Sequence, residues 1–187
     1  VTVTAGTVSP TNSTVTVSPA SIVAAGTGSV VTVTVRNTNN VAIVGATVVL
    51  ASTGTSNVFT TPAVTNASGV TTATLTSTMA EVKTVAAAVG AVTITQQPTV
   101  TVVAGAVSPS LSTVTATSPI VVGGSTSAIT VTARDANSNP IIGATVLLAA
   151  TGAGNTVTQP AVTNASGVAT FEIAFDTKAI VIKSIQD

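Results

Sequence analysis

The chain has 187 residues, 45% of them hydrophobic and 5% charged; five basic residues balance five acidic ones, and there is no histidine, cysteine, tryptophan or tyrosine. That inventory excludes Ser-His-Asp and Cys-His catalysis, imidazole or thiolate metal sites, disulfides, and the basic, aromatic-studded surface that nucleic acid requires. It also excludes a disordered chain, and with charge so far below the ~25% of ordinary soluble domains, solubility has to come from Thr, Ser and Asn, from attached sugar, or from burial in an assembly.

The chain repeats itself. GATVVLASTG from Gly45 returns as GATVLLAATG from Gly143, PAVTNASGV from Pro62 returns from Pro160, and the pairs Gly45/Gly143, Pro62/Pro160, Gly69/Gly167 and Arg36/Arg134 are all 98 residues apart. Such a period suits a complete small β-domain and is too long for one coil of a solenoid. Taken in chain order, residues 1–6 (Val1, Thr2, Val3, Thr4, Ala5, Gly6) read VTVTAG and recur as VTVVAG at 100–105, where they form the last strand of a domain and the start of a linker. They are therefore expected to be a strand of a preceding or neighbouring domain. Residues 7–105 form the first predicted domain and 106–187 the second, which stops before the counterpart of 93–105 and so is expected to lack its closing strand.

Within each copy the periodicity is two. Val31, Val33 and Val35 share one face and Thr32, Thr34 and Arg36 the other; Ile129, Val131 and Ala133 oppose Thr130, Thr132 and Arg134 in the second copy. Alternation of this kind marks antiparallel strands with one wet face. A corner follows, then a predicted strand over 47–51 (145–149 in the second copy) and a Gly-rich turn. The strand ending in PAVT runs into Asn66-Ala-Ser-Gly69 or Asn164-Ala-Ser-Gly167 and reverses into 70–76 or 168–175. Asn opens such a turn through its side chain and Gly supplies the positive φ that closes it, which predicts a hairpin. No stretch has a helical period, and the apolar runs 41–51 and 85–92 fall far short of the ~20 residues of a spanning helix. A lipid-facing barrel wants aromatic girdles, and the aromatics are Phe59, Phe171 and Phe175.

The acids, Glu81, Asp135, Glu172, Asp176 and Asp187, are scattered, so no carboxylate pair for hydrolysis is predicted; Glu172 and Asp176 are expected on a solvated face. The linker AGAVSPS carries no Asp for calcium. No catalytic residue, cofactor or metal is expected. Lys83 and Lys178 raise the alternative of a lysine–asparagine crosslink with Glu81 as the acid, but the two copies do not keep one such constellation and both lysines are expected at the surface. Asn12, Asn66 and Asn164 head N-x-Ser/Thr sequons and are candidate glycosylation sites.

The corner block followed by GATVxL and PAVTNASGV resembles the bacterial immunoglobulin-like group 1 repeat of invasin- and intimin-type adhesins, in both copies. The resemblance implies two tandem immunoglobulin-like antiparallel β-sandwich domains and an extracellular, cell-surface module: a rod-like stalk segment whose neighbours are further immunoglobulin-like domains, a host receptor or surface glycan being engaged by other parts of the protein. The alternative is a self-assembling subunit of a filament, sheath or virion surface, joined head to tail by residues 1–6 donated to the next copy's open sheet edge.

Overall fold

The computed structural model describes residues 6–117, 126–158 and 162–175, and every regular element in them is a β-strand. The chain divides into two compact units, Val1–Gly105 and Ala106–Asp187. The first unit contains β1 (Thr14–Ser18), β2 (Ser21–Val23), β3 (Ser29–Thr34), β4 (Val49–Ser52), β5 (Asn57–Phe59), β6 (Val70–Ser77), β7 (Val82–Val89), β8 (Val92–Thr93) and β9 (Thr99–Val103). One antiparallel sheet has the order β1-β3-β6-β5; the other runs β2-β9-β7-β4, with β8 on β7, and its β2–β9 pair is parallel.

The alternation in the sequence becomes the two faces of these sheets. Val15, Val31, Val33 and Leu75 from one sheet meet Ile22, Val85, Ala87, Val100 and Val102 from the other in a single buried cluster. Each Val or Leu so buried contributes about 1.5–3 kcal/mol, and β-branched side chains fit the pleated surface well. The opposite face is threonine: Thr14 lies across from Thr34, and Thr16, Thr32 and Thr72 form a row over three strands. These ladders stabilise pairing by about 0.2–1 kcal/mol per pair and present hydroxyls to water without charge. The result is an all-β immunoglobulin-like sandwich.

In the second unit β10 (Thr113–Ala116), β11 (Ser127–Thr132), β12 (Asn155–Thr158) and β13 (Val168–Phe175) form a sheet of order β10-β11-β13-β12. It repeats the first sheet of unit 1, with Thr130 across from Thr170 as Thr32 is from Thr72. Ile129, Val131, Ala169 and Phe171 form its buried cluster.

One strand expectation needs correction. The segment 47–51 is β4, shifted to Val49–Ser52 and laddered to β7, but its twin 145–149 is not a strand: Thr145 makes an isolated bridge to Val162. The ladder that makes β4 a strand comes from β7, and the residues one period beyond β7, 180–187, lie outside the described residues. So do residues 1–5 and 176–187, on which the extra first strand and the absent closing strand were predicted.

Candidate functional site

Each unit begins with a Ser-Pro turn pinned to the arginine that follows β3 or β11. Ser9 N donates to Arg36 O (2.8 Å), and Ser13 Oγ both accepts from Arg36 N (3.0 Å) and donates to Arg36 O (3.2 Å). The twin has Ser108 N to Arg134 O at 2.7 Å, Arg134 N to Ser112 Oγ at 3.0 Å and Ser112 Oγ to Arg134 O at 3.3 Å. Both guanidiniums bind their own corner, Arg36 donating to Asn40 O (2.9 Å) and Arg134 to Ser138 O (2.7 Å). Inside the corner Asn37 Oδ1 accepts the Asn39 and Val41 amides, each at 2.9 Å. In the second copy Asp135 accepts the Asn137 and Asn139 amides (2.8 and 2.9 Å), and its other oxygen accepts Asn139 Nδ2 (2.9 Å). Asp135 and Asn139 are both buried, which reading the acids as scattered missed. The signal was a paired exchange: where Asn37 becomes Asp135, Val41 becomes Asn139.

At the hairpins, Asn66 Oδ1 accepts the Ser68 and Val70 amides (2.9 and 3.0 Å), and Asn164 Oδ1 those of Ser166 and Val168 (2.9 and 3.1 Å). Gly69 and Gly167 have φ of +74° and +73°, and a Cβ on either would lie 2.6 Å from a carbonyl oxygen, that of Val35 or Ala133. The hairpin tip is therefore pressed onto the strand leading to the corner. Of the sequon residues, Asn66 and Asn164 are exposed, whereas Asn12 is half-buried and its Nδ2 donates to Asn37 O (3.0 Å) and Thr38 O (3.2 Å). Among the strand-donor residues Gly6 is described and exposed; Val1, Thr2, Val3, Thr4 and Ala5 lie outside the described residues.

Lys83 overturns the expectation of a surface lysine: it is 0% exposed. Its Nζ donates to Thr55 O (2.7 Å) and pairs with Glu81 Oε1, which also accepts the Thr55 amide (2.8 Å). The cause is period two, because position 83 falls on the inward face of β7 with Val85 and Ala87 and the loop over 53–55 folds across the end of its long stem. The Lys83 hydrogen bond, aided by the Thr55 N–H and opposed by desolvation, holds the Glu81 carboxyl below the usual carboxylate range. Glu172 is exposed; Asp176 and Lys178 lie outside the described residues. Among the described residues there is no group of three metal-ligating His, Cys, Asp or Glu side chains. A cavity of about 210 Å³ between Ala25, Ser56, Val58 and Thr76 is small and has no charged lining.

Facing antiparallel sheets, a Gly-Ala-Thr-Val segment, an asparagine-capped hairpin and ionic groups spent on holding loops define a bacterial immunoglobulin-like domain of the invasin and intimin type. The family model for invasin, domain 3, matches residues 9–105, slightly more than half of the sequence, and the chain belongs to that family. No individually curated protein matches it. Among solved structures it is similar to InvD of Yersinia pseudotuberculosis, at 32% identity and a TM-score of 0.64 over 89% of this chain and 50% of that one. The Escherichia coli adhesin FdeC is similar at 24% identity and a TM-score of 0.63, with 94% and 59% covered. Invasin, described as a bacterial integrin-binding protein, is similar at 22% identity and a TM-score of 0.68, with 92% and 36% covered. The last two likenesses concern the fold, and the chain spans roughly a third to three-fifths of these proteins' lengths.

Proposed function

We propose that the chain is a stalk segment of a bacterial surface adhesin, an extracellular spacer between immunoglobulin-like neighbours, with any host receptor or surface glycan engaged by other domains. The observation that carries this reading is the invasin-family match over residues 9–105. The structure supports it in kind: buried polar side chains are spent on corners, hairpins and loops, and the outward sheet faces offer threonine rows rather than a chemically reactive cleft. Two of the relatives named above are an adhesin and an integrin-binding protein, which favours a stalk over a filament subunit, a virion surface or an enzyme. If the chain is glycosylated, Asn66 and Asn164 are the acceptors and Asn12 is not, because a glycan would replace an Nδ2 proton that Asn12 uses to hold the corner.

The test is to put this chain in place of an immunoglobulin-like pair between the anchor and tip of an invasin-type adhesin and measure adhesion to host cells. Adhesion should persist, and beads coated with this chain alone should not bind. Saturable binding by the isolated chain would defeat the stalk reading.

A further inference from the structure

Residues 1–105 contain three charged side chains, Arg36, Glu81 and Lys83, and two of them meet at one end of the first unit. It is the end at which β9 leads toward Gly105, since Val102 N donates to Glu81 O (3.0 Å) and Ala24 N to Val103 O (2.8 Å). The loop over 53–56, between β4 and β5, lies on this pair. Glu81 Oε1 takes the Thr55 amide, Lys83 Nζ takes the Thr55 carbonyl, and the two side chains take each other, which closes a ring of three groups. Gly54 shows how close the loop comes, because a Cβ there would collide with Glu81 Oε1 and lie 3.0 Å from Lys83 Nζ. The other bonds of Thr55 and Ser56 are long, Ser77 Oγ to Thr55 O at 3.4 Å and Thr78 N to Ser56 O at 3.3 Å. No residue from 53 to 57 belongs to the core cluster.

We propose that Glu81 and Lys83 form an acid-operated latch: with Glu81 ionised, residues 54–56 of the loop are held against β7, and with Glu81 protonated they are released while Thr53 stays bonded to Thr84 (3.0 Å) and both sheets stay formed. Protonation removes the charge from the acceptor of two hydrogen bonds and leaves the Lys83 ammonium buried without a counterion, an unfavourable state that its long stem relieves by swinging outward with the loop. Lys83 is the charged group that faces Glu81. Residues 24–28, 53–57, 77–80 and β9, which surround it, contribute no titratable side chain, and Arg36 is engaged with Asn40 O. Because the folded-state pKa is lowered, the latch is closed above the ordinary carboxylate range and opens as pH falls through the lowered value. Asp176 and Lys178 repeat the acid-x-lysine spacing outside the described residues, and the readouts chosen lie in the first unit.

The experiment is amide exchange by NMR on the whole chain over a series of falling pH, expressed as protection relative to the intrinsic rate at each pH. Protection at Thr55 should fall about tenfold or more, the size of a lost hydrogen bond to a charged group, with the same midpoint as the Glu81 side-chain carboxyl carbon, while Val33 and Leu75 stay protected. In Glu81→Gln, Thr55 should be weakly protected already at neutral pH and insensitive to acid. Should that variant fail to fold, the wild-type midpoints decide. Thr55 protection that stays flat through the Glu81 titration, or that falls in step with Val33 and Leu75, would overturn the latch.

Discussion

Residues 49–52 and 147–150 stand one period apart and read VLAS and LLAA, yet the first is a strand and the second is not. Val49 is 63% exposed on the outer face of its sheet and Leu147 is 85% exposed. Their neighbours differ in the same direction, with Val48 buried and Val146 half-buried. The hairpins of the two copies, by contrast, agree bond for bond, and the corners share their backbone and arginine bonds. The difference teaches that a hairpin closed by its own asparagine and glycine is a local object, whereas a β-strand is a property of a pair and exists where β7 supplies the ladder.

The largest effect expected follows from supplying that ladder. Replacing residues 176–187 with a copy of residues 78–105 places the β7 and β9 sequences of the first unit in the second, and residues 147–150 should then become a strand, read as new amide protection at Ala149. If protection does not appear, the LLAA sequence and not the identity of the partner strand is responsible, and the comparison fails. Next in size is truncation of the core. Leu75 is fully buried and its twin Ile173 only half-buried, so Leu75→Ala should cost about 2–5 kcal/mol and Ile173→Ala distinctly less by denaturant unfolding. Equal costs would mean that the two cores are equally closed.

The shared hairpins should respond alike. Gly69→Ala and Gly167→Ala each force a Cβ onto a neighbouring carbonyl at positive φ and should each destabilise by about 1–3 kcal/mol; a large disparity would show that the tips are not equivalent. The smallest effect sharpens the one corner difference. Asp135→Asn removes the charged acceptor of Asn139 and should cost about 1.5 kcal/mol. Adding Asn139→Val, which recreates the first unit's pairing, should recover part of the loss in a double-mutant cycle, and strict additivity would mean that the two residues are not coupled.

What could be read in the residues was whatever repeats at short range. Alternation placed Val31, Val33, Ile129 and Val131 inside and the threonines outside, and the repeated GATV and NASG blocks pointed to the invasin-type sandwich. Lys83 was misplaced because its chemical type was read without the alternation of positions 83, 85 and 87 that puts it on the inward face of β7. Asp135 escaped notice because its burial depends on Asn139 and on the close of the corner around both.

The sequence by itself determined the strand faces, the hairpin tips and the family, because each rests on periodicity, on backbone φ or on a bond spanning a few residues. Only the tertiary structure decided which segment is a strand at 49–52 and not at 147–150, that a lysine can lie at the inward end of β7, and that one carboxylate holds a loop from 26 residues away. Those outcomes depend on partners distant in the chain, and burial and ladder bonds arise only once the sheets bring them together.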